Sequence, residues 1–146
     1  MLLDRDGLEQ FAAALARQLR PGDVIALSGP LGAGKTTLAR GVLNALGHDG
    51  EVPSPTFTLV QAYDAPSLRL PVWHADLYRL AAAGEVEELG LDEILAAGVL
   101  LLEWPERLGD RLWPETLQIR LDPETDETRR LTVRVPPGWE ERWPPT

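Results

Sequence analysis

Cysteine is absent from this 146-residue chain, and with it go disulfide bridges, Cys-based zinc sites and thiol chemistry. Lysine is reduced to one residue, Lys35, and arginine supplies every other positive side chain. Positive charge is scarce altogether, with 14 Lys and Arg against 23 Asp and Glu and a formal net charge of -9. Sequence-independent binding to RNA or DNA works by neutralising phosphates with Lys and Arg, so no stable direct contact with nucleic acid is expected of this surface. No apolar run approaches the roughly 18 residues that span a bilayer, and the N-terminus lacks the basic-then-apolar order of a signal peptide. The expected location is the cytoplasm, with no membrane partner. Internal repeats and low-complexity tracts are missing too. A chain of 146 residues is expected to form one domain, spanning 1–146, with room for a real core but not for a separate substrate domain.

The single lysine stands inside Gly29-Pro30-Leu31-Gly32-Ala33-Gly34-Lys35-Thr36, a full G-x-x-x-x-G-K-T phosphate-binding loop followed by Thr37. Glycines let backbone N–H groups turn inward around a β-phosphate, Lys35 reaches β and γ oxygens, and the Thr36 hydroxyl is a Mg²⁺ ligand. The helix that follows points its positive N-terminus at the anion. The flanking sequence fits this context. Val24-Ile25-Ala26-Leu27 reads as a buried strand, and Leu38, Val42, Leu43 and Leu46 recur at helical spacing before Gly47 as a stop. A glycine-rich turn joining strand to helix by chance is the poorer reading.

Around this unit the pattern alternates helix and strand. Leu8, Phe11, Ala12, Leu15 and Leu19 form one apolar helical face, with Asp6 and Glu9 at capping-box spacing and Pro21-Gly22 as a stop. Val52-Pro53-Ser54-Pro55-Thr56 is a proline-stiffened loop. Residues 57–63 and 68–75 read as an antiparallel hairpin, residues 85–89 and 91–97 as small helices stopped by Gly98, and 99–103 as a central strand buried on both faces. Residues 116–121 and 130–135 alternate as a second hairpin with one wet face. The tail 136–146, with four prolines and two tryptophans, is expected not to be helical. The acidic runs 84–88 and 122–127 read as solvated turns and helix starts. The expected fold is α/β: a P-loop NTPase-like, mostly parallel central sheet flanked by helices, with antiparallel hairpins including one at the C-terminus.

Hydrolysis or transfer needs a carboxylate near Mg²⁺ and a group that orients the attacking atom. Asp76 and Glu103 each end an apolar strand, so both are expected at the carboxyl edge of the sheet where the phosphate loop opens. Thr56 falls in the loop after the first helix of the phosphate-binding unit, where nucleotide hydrolases keep a segment that senses the γ-phosphate. His74, inside an apolar strand, reads as a packed or locally hydrogen-bonded residue rather than a base. Trp104 follows Glu103 and is placed to shield the site or stack on a base, or else to serve the core or an interface.

Taken together, these segments resemble the TsaE family, formerly called YjeE, small bacterial ATPases required for threonylcarbamoyladenosine in tRNA. The resemblance rests on the phosphate loop through Thr37, Ser54-Pro55-Thr56-Phe57, His74-Ala75-Asp76-Leu77-Tyr78-Arg79, Leu89-Gly90-Leu91 and Glu103-Trp104-Pro105-Glu106. These segments span nearly the whole chain in the family's order, and the match is weakest in the Pro- and Trp-rich tail. The phosphate loop alone is shared widely; the other segments in this order are far more specific. The resemblance implies ATP and Mg²⁺ bound through Lys35 and Thr36, Thr56 as a switch residue, and Asp76 and Glu103 for metal binding and hydrolysis. It also implies docking on a TsaD–TsaB complex that makes the modified adenosine beside the anticodon, with hydrolysis resetting that complex. An acidic surface is consistent with this, since the partner would hold the RNA. Two other readings stay open: a small-molecule kinase, and a nucleotide-binding assembly switch whose hydrolysis is incidental.

Overall fold

The protein is described here from a computed structural model, covering residues 1–30, 32–48, 60–64, 66, 68–78 and 90–145. Its frame is a seven-stranded sheet. In chain order the strands are β1 (Leu2–Leu3), β2 (Val24–Ser28), β3 (Val60–Tyr63), β4 (Val72–Asp76), β5 (Val99–Glu103), β6 (Leu117–Pro123) and β7 (Arg129–Arg134), arranged across the sheet as β1-β7-β6-β2-β5-β4-β3. The four central strands β6, β2, β5 and β4 run parallel, and antiparallel partners close both edges. This is the expected α/β architecture, with one refinement. The C-terminal hairpin is no appendage, because its first strand, β6, lies directly against β2. Strand β1 carries no sequence period long enough to read.

Helices α1 (Arg5–Gln18) and α2 (Lys35–Leu46) share one face of the sheet. Strand alternation divides the core accordingly. Ile25, Leu27, Leu101 and Ile119 share a cluster with Leu15, Leu38 and Leu43 on the helices and Leu19 just past the end of α1, whereas Val24, Leu100, Leu102 and Ala75 pack with Leu77 and Leu108 on the other side. Both clusters are closed to water, and β5 is buried along its whole length, as expected of a central strand. The two helices approach closely at Gly41, where a Cβ would stand 2.8 Å from that of Ala12.

Two expectations are corrected. The cap of α1 is Asp4, whose carboxylate accepts from Gly7 N at 2.7 Å, and not Asp6, which lies within the first turn. An apolar period locates a helix but leaves its first turn ambiguous when several acids precede it. The tail is also helical in part: Pro137–Arg142 forms a 3₁₀ helix with Trp139 buried to 1% exposure. Pro136 and Pro137 fall at its start, where their missing N–H groups cost no internal bond. Of the two small helices, α3 spans Leu91–Ile94; residues 85–89 lie outside the described residues.

Candidate phosphate-binding site

The phosphate loop leaves β2 and enters α2 at the carboxyl edge of the parallel strands. Its turn depends on glycine at three places, Gly29, Gly32 and Gly34, with φ of 134°, 78° and 105°. Side chains are strained at such angles, and at Gly29 a Cβ would also lie 2.1 Å from Leu121 O. Gly34 caps α2 in the left-handed conformation, so the first N–H groups of the helix open toward the loop. Ala33 is buried beneath it; Leu31 lies outside the described residues.

Lys35 is the first residue of α2 and is buried, its Nζ donating to Gly29 O and standing 3.8 Å from the centre of the Trp104 ring. Burial holds its pKa below the usual lysine range, assisted by Arg120 and opposed by Glu103, Asp76 and Glu106. Trp104 has φ 63°, the only non-glycine residue with positive φ among those described. That conformation turns the chain from β5 into a 3₁₀ helix at Pro105–Arg107 and sets the indole over Lys35, with the Tyr78 ring 5.0 Å away.

Asp76 and Glu103 are register partners at the ends of parallel strands β4 and β5. Both therefore emerge beside the loop, and the two strand ends bring together acids 27 positions apart in the chain. Asp76 accepts from Tyr78 N at 3.0 Å; its carboxyl pKa is raised, chiefly by burial and further by Glu103, against the lowering effects of the Tyr78 N–H, His74 and Lys35. Glu103 is 3% exposed: one oxygen accepts from Thr36 Oγ1 at 3.5 Å, and the other lies 2.6 Å from His74 Nε2. His74 itself is packed and hydrogen-bonded, as its apolar surroundings in the sequence imply.

Lys35, Thr36, Thr37, Asp76, Glu103 and Trp104, with Gly32 and Gly34, line one cavity of about 260 Å³. A second, of about 590 Å³, shares Gly34, Thr37 and Arg129 with it and runs on to Asp4, Asp6 and Arg40. Thr56 lies outside the described residues. Arg129 is the residue the sequence did not single out for the site. It reaches from β7 to donate to Ala33 O at 3.0 Å, tying the hairpin to the phosphate loop. The Arg129-Arg130 pair is visible in the sequence, but Arg130 is bound to Glu124 and only Arg129 turns inward.

The donor set fits a magnesium triphosphate. Among the described residues no three His, Cys, Asp or Glu side chains cluster to hold a metal by themselves. Mg²⁺, however, is ordinarily bound by one or two carboxylates together with substrate phosphates, and two carboxylates and a hydroxyl are what Asp76, Glu103 and Thr36 offer.

A profile of the family described as threonylcarbamoyl adenosine biosynthesis protein TsaE matches residues 2–131. The chain belongs to the TsaE family. Of this TsaE-family chain's relatives, the tRNA threonylcarbamoyladenosine biosynthesis protein TsaE of Streptomyces coelicolor is 40% identical over 141 residues, 93% of each chain. Its counterpart in Mycobacterium leprae is 44% identical over 109 residues, covering 70% of this chain and 68% of its own. The crystal structure of a Bacillus YdiB superposes with a TM-score of 0.79 at 32% identity, covering 97% of this chain and 88% of that one. The TsaE profile ends before the tail, where the resemblance was weakest. Among the described residues no helix is long and apolar enough to cross a membrane.

Proposed function

We propose that this TsaE-family chain is, as one domain over 1–146, a cytoplasmic Mg²⁺-dependent ATPase of tRNA threonylcarbamoyladenosine formation that docks on a TsaD–TsaB complex and resets it between turnovers. The observation that carries the reading is the convergence of Lys35, Thr36, Asp76 and Glu103 on one cavity at the mouth of a glycine-built phosphate loop. Loop N–H groups and Lys35 grip the β- and γ-phosphates, the lysine exchanging Gly29 O for phosphate oxygen. Thr36, Asp76 and Glu103 would hold the cation, which would supply neutralisation of charge on the phosphate oxygens. Trp104 covers the site from the side of β5, and the nucleoside extends into the adjoining cavity of about 590 Å³ beside Thr37 and Arg40. Thr56, outside the described residues, serves in this reading as the residue that senses the γ-phosphate. The acidic surface suits a factor whose partner holds the RNA.

Phosphate release from ATP and GTP by the purified chain, with and without TsaD and TsaB, tests this. Slow release alone and faster release with the partners is expected. Transfer of phosphate to an acceptor other than water would instead favour a kinase, and partner cycling that proceeds without hydrolysis would favour an assembly switch.

A further inference from the structure

We propose that His74 is a positioning residue that fixes the Glu103 carboxylate for hydrolysis, an inference that rests on the reading of the site as a nucleotide hydrolase. Glu103 is level with Asp76 in the sheet register, yet its Oε2 meets the imidazole of His74, two residues earlier on the neighbouring strand. Two strand residues advance by roughly 6.6 Å, so the Glu103 side chain leans back along the sheet to make this diagonal contact. The Nε2–Oε2 separation of 2.6 Å is that of a short, direct hydrogen bond. His74 is 0% exposed and does not line the phosphate cavity, so its hydrogen-bonded connection to the site runs through Glu103.

This contact divides the two carboxylate oxygens. Oε2 is anchored in the interior, and Oε1 is left turned toward Thr36 Oγ1 and the phosphate loop. A glutamate has three rotatable side-chain bonds, and without the anchor Oε2 would be a buried acceptor with no donor. The other ring nitrogen, Nδ1, has no hydrogen-bond partner among the described residues, so among them this buried ring bonds only to Glu103. Hydrogen-bonded supports of this kind behind a metal-binding carboxylate typically carry 10–100-fold of activity.

Two substitutions separate positioning from packing. In His74→Gln the amide nitrogen reaches the place of Nε2 and keeps the donor; in His74→Asn it stops at the level of the partnerless Nδ1 and loses it. With ATP and Mg²⁺, with and without TsaD and TsaB, His74→Asn is expected to lower kcat about 10–100-fold with nucleotide affinity within about threefold, and His74→Gln to stay within about threefold of wild type. In a Glu103→Gln background His74→Asn should add no further loss. Independently of turnover, the imidazole of the wild-type chain should give a slowly exchanging Nε2–H resonance in ¹H–¹⁵N spectra that moves in Glu103→Gln; this readout stands even if the Asn variant fails to fold. Equal turnover by the Asn and Gln variants, an affinity loss matching the loss in kcat, full additivity with Glu103→Gln, or an Nε2–H indifferent to Glu103 would each overturn the proposal while wild-type hydrolysis stands. If the wild-type chain hydrolyses no ATP under any of these conditions, the underlying reading falls and this one with it.

Discussion

Arg142 and Asp23 form a two-pronged ion pair across 119 residues, Nη1 to Oδ2 at 2.7 Å and Nη2 to Oδ1 at 3.0 Å, with side chains only 9% and 10% exposed. Arg142 also donates to Gln18 O and stacks 3.8 Å from the Trp139 ring, so the tail is fastened to the end of α1 and the start of β2. Removing one partner of such a pair leaves the other buried and uncompensated. Arg142→Ala is expected to destabilise the chain by about 3 kcal/mol in urea unfolding. Nucleotide affinity should hold, because the pair sits at the opposite end of β2 from the phosphate loop. A loss below about 0.5 kcal/mol would show the tail to be loosely attached.

Lys35→Ala separates stability from binding. The ammonium is buried and its charge disfavoured there, so replacing it is expected to leave the melting temperature unchanged or slightly raised. Triphosphate affinity should fall by roughly 10–100-fold with the loss of charge-assisted bonds to phosphate. Calorimetry and nucleotide titration on one preparation check both halves; unchanged affinity would remove the phosphate loop from the function.

Asp76→Asn and Glu103→Gln keep shape and remove charge from the shared strand edge. Turnover with ATP and Mg²⁺ should drop by about 100-fold or more, and nucleotide affinity by far less. Normal hydrolysis by either variant would make that residue a strand-end acid without a role.

Thr56→Ala addresses partner dependence. On the proposed reading the phosphate loop grips the β-phosphate before any switch segment acts on the γ-phosphate, so ground-state ATP affinity should stay within about threefold. The rise in hydrolysis on adding TsaD and TsaB should mostly disappear. A steady-state phosphate assay of both proteins, each with and without partners, reads the difference, and full stimulation of the variant would take Thr56 out of the mechanism.

Several elements are legible because their signals are local. Five residues, Val24 to Ser28, then the glycine loop, then an apolar stripe from Leu38 to Leu46 identify strand, turn and helix by steric rules and periodicity acting over one or two turns. Asp76 and Glu103 could be placed at one edge for a related reason: each ends an apolar run, and parallel strands end on the same side. Asp6 and Glu9 have capping-box spacing, yet the cap of α1 is Asp4, because composition alone does not choose which acid stands outside the first turn. The tail departs from the expectation of no helix because prolines at a helix start resemble, in sequence, prolines that prevent one.

The sequence by itself determined the phosphate loop, the alternation of helix and strand, and the family, since each is written in contiguous residues whose chemistry needs no distant partner. Tertiary structure alone decided that β6 lies against β2, that Arg129 and not Arg130 holds Ala33, and that His74 stands behind Glu103. Those contacts join positions 29 to 96 residues apart in the chain, and they follow from sheet order and register, which long-range packing settles and no local period encodes.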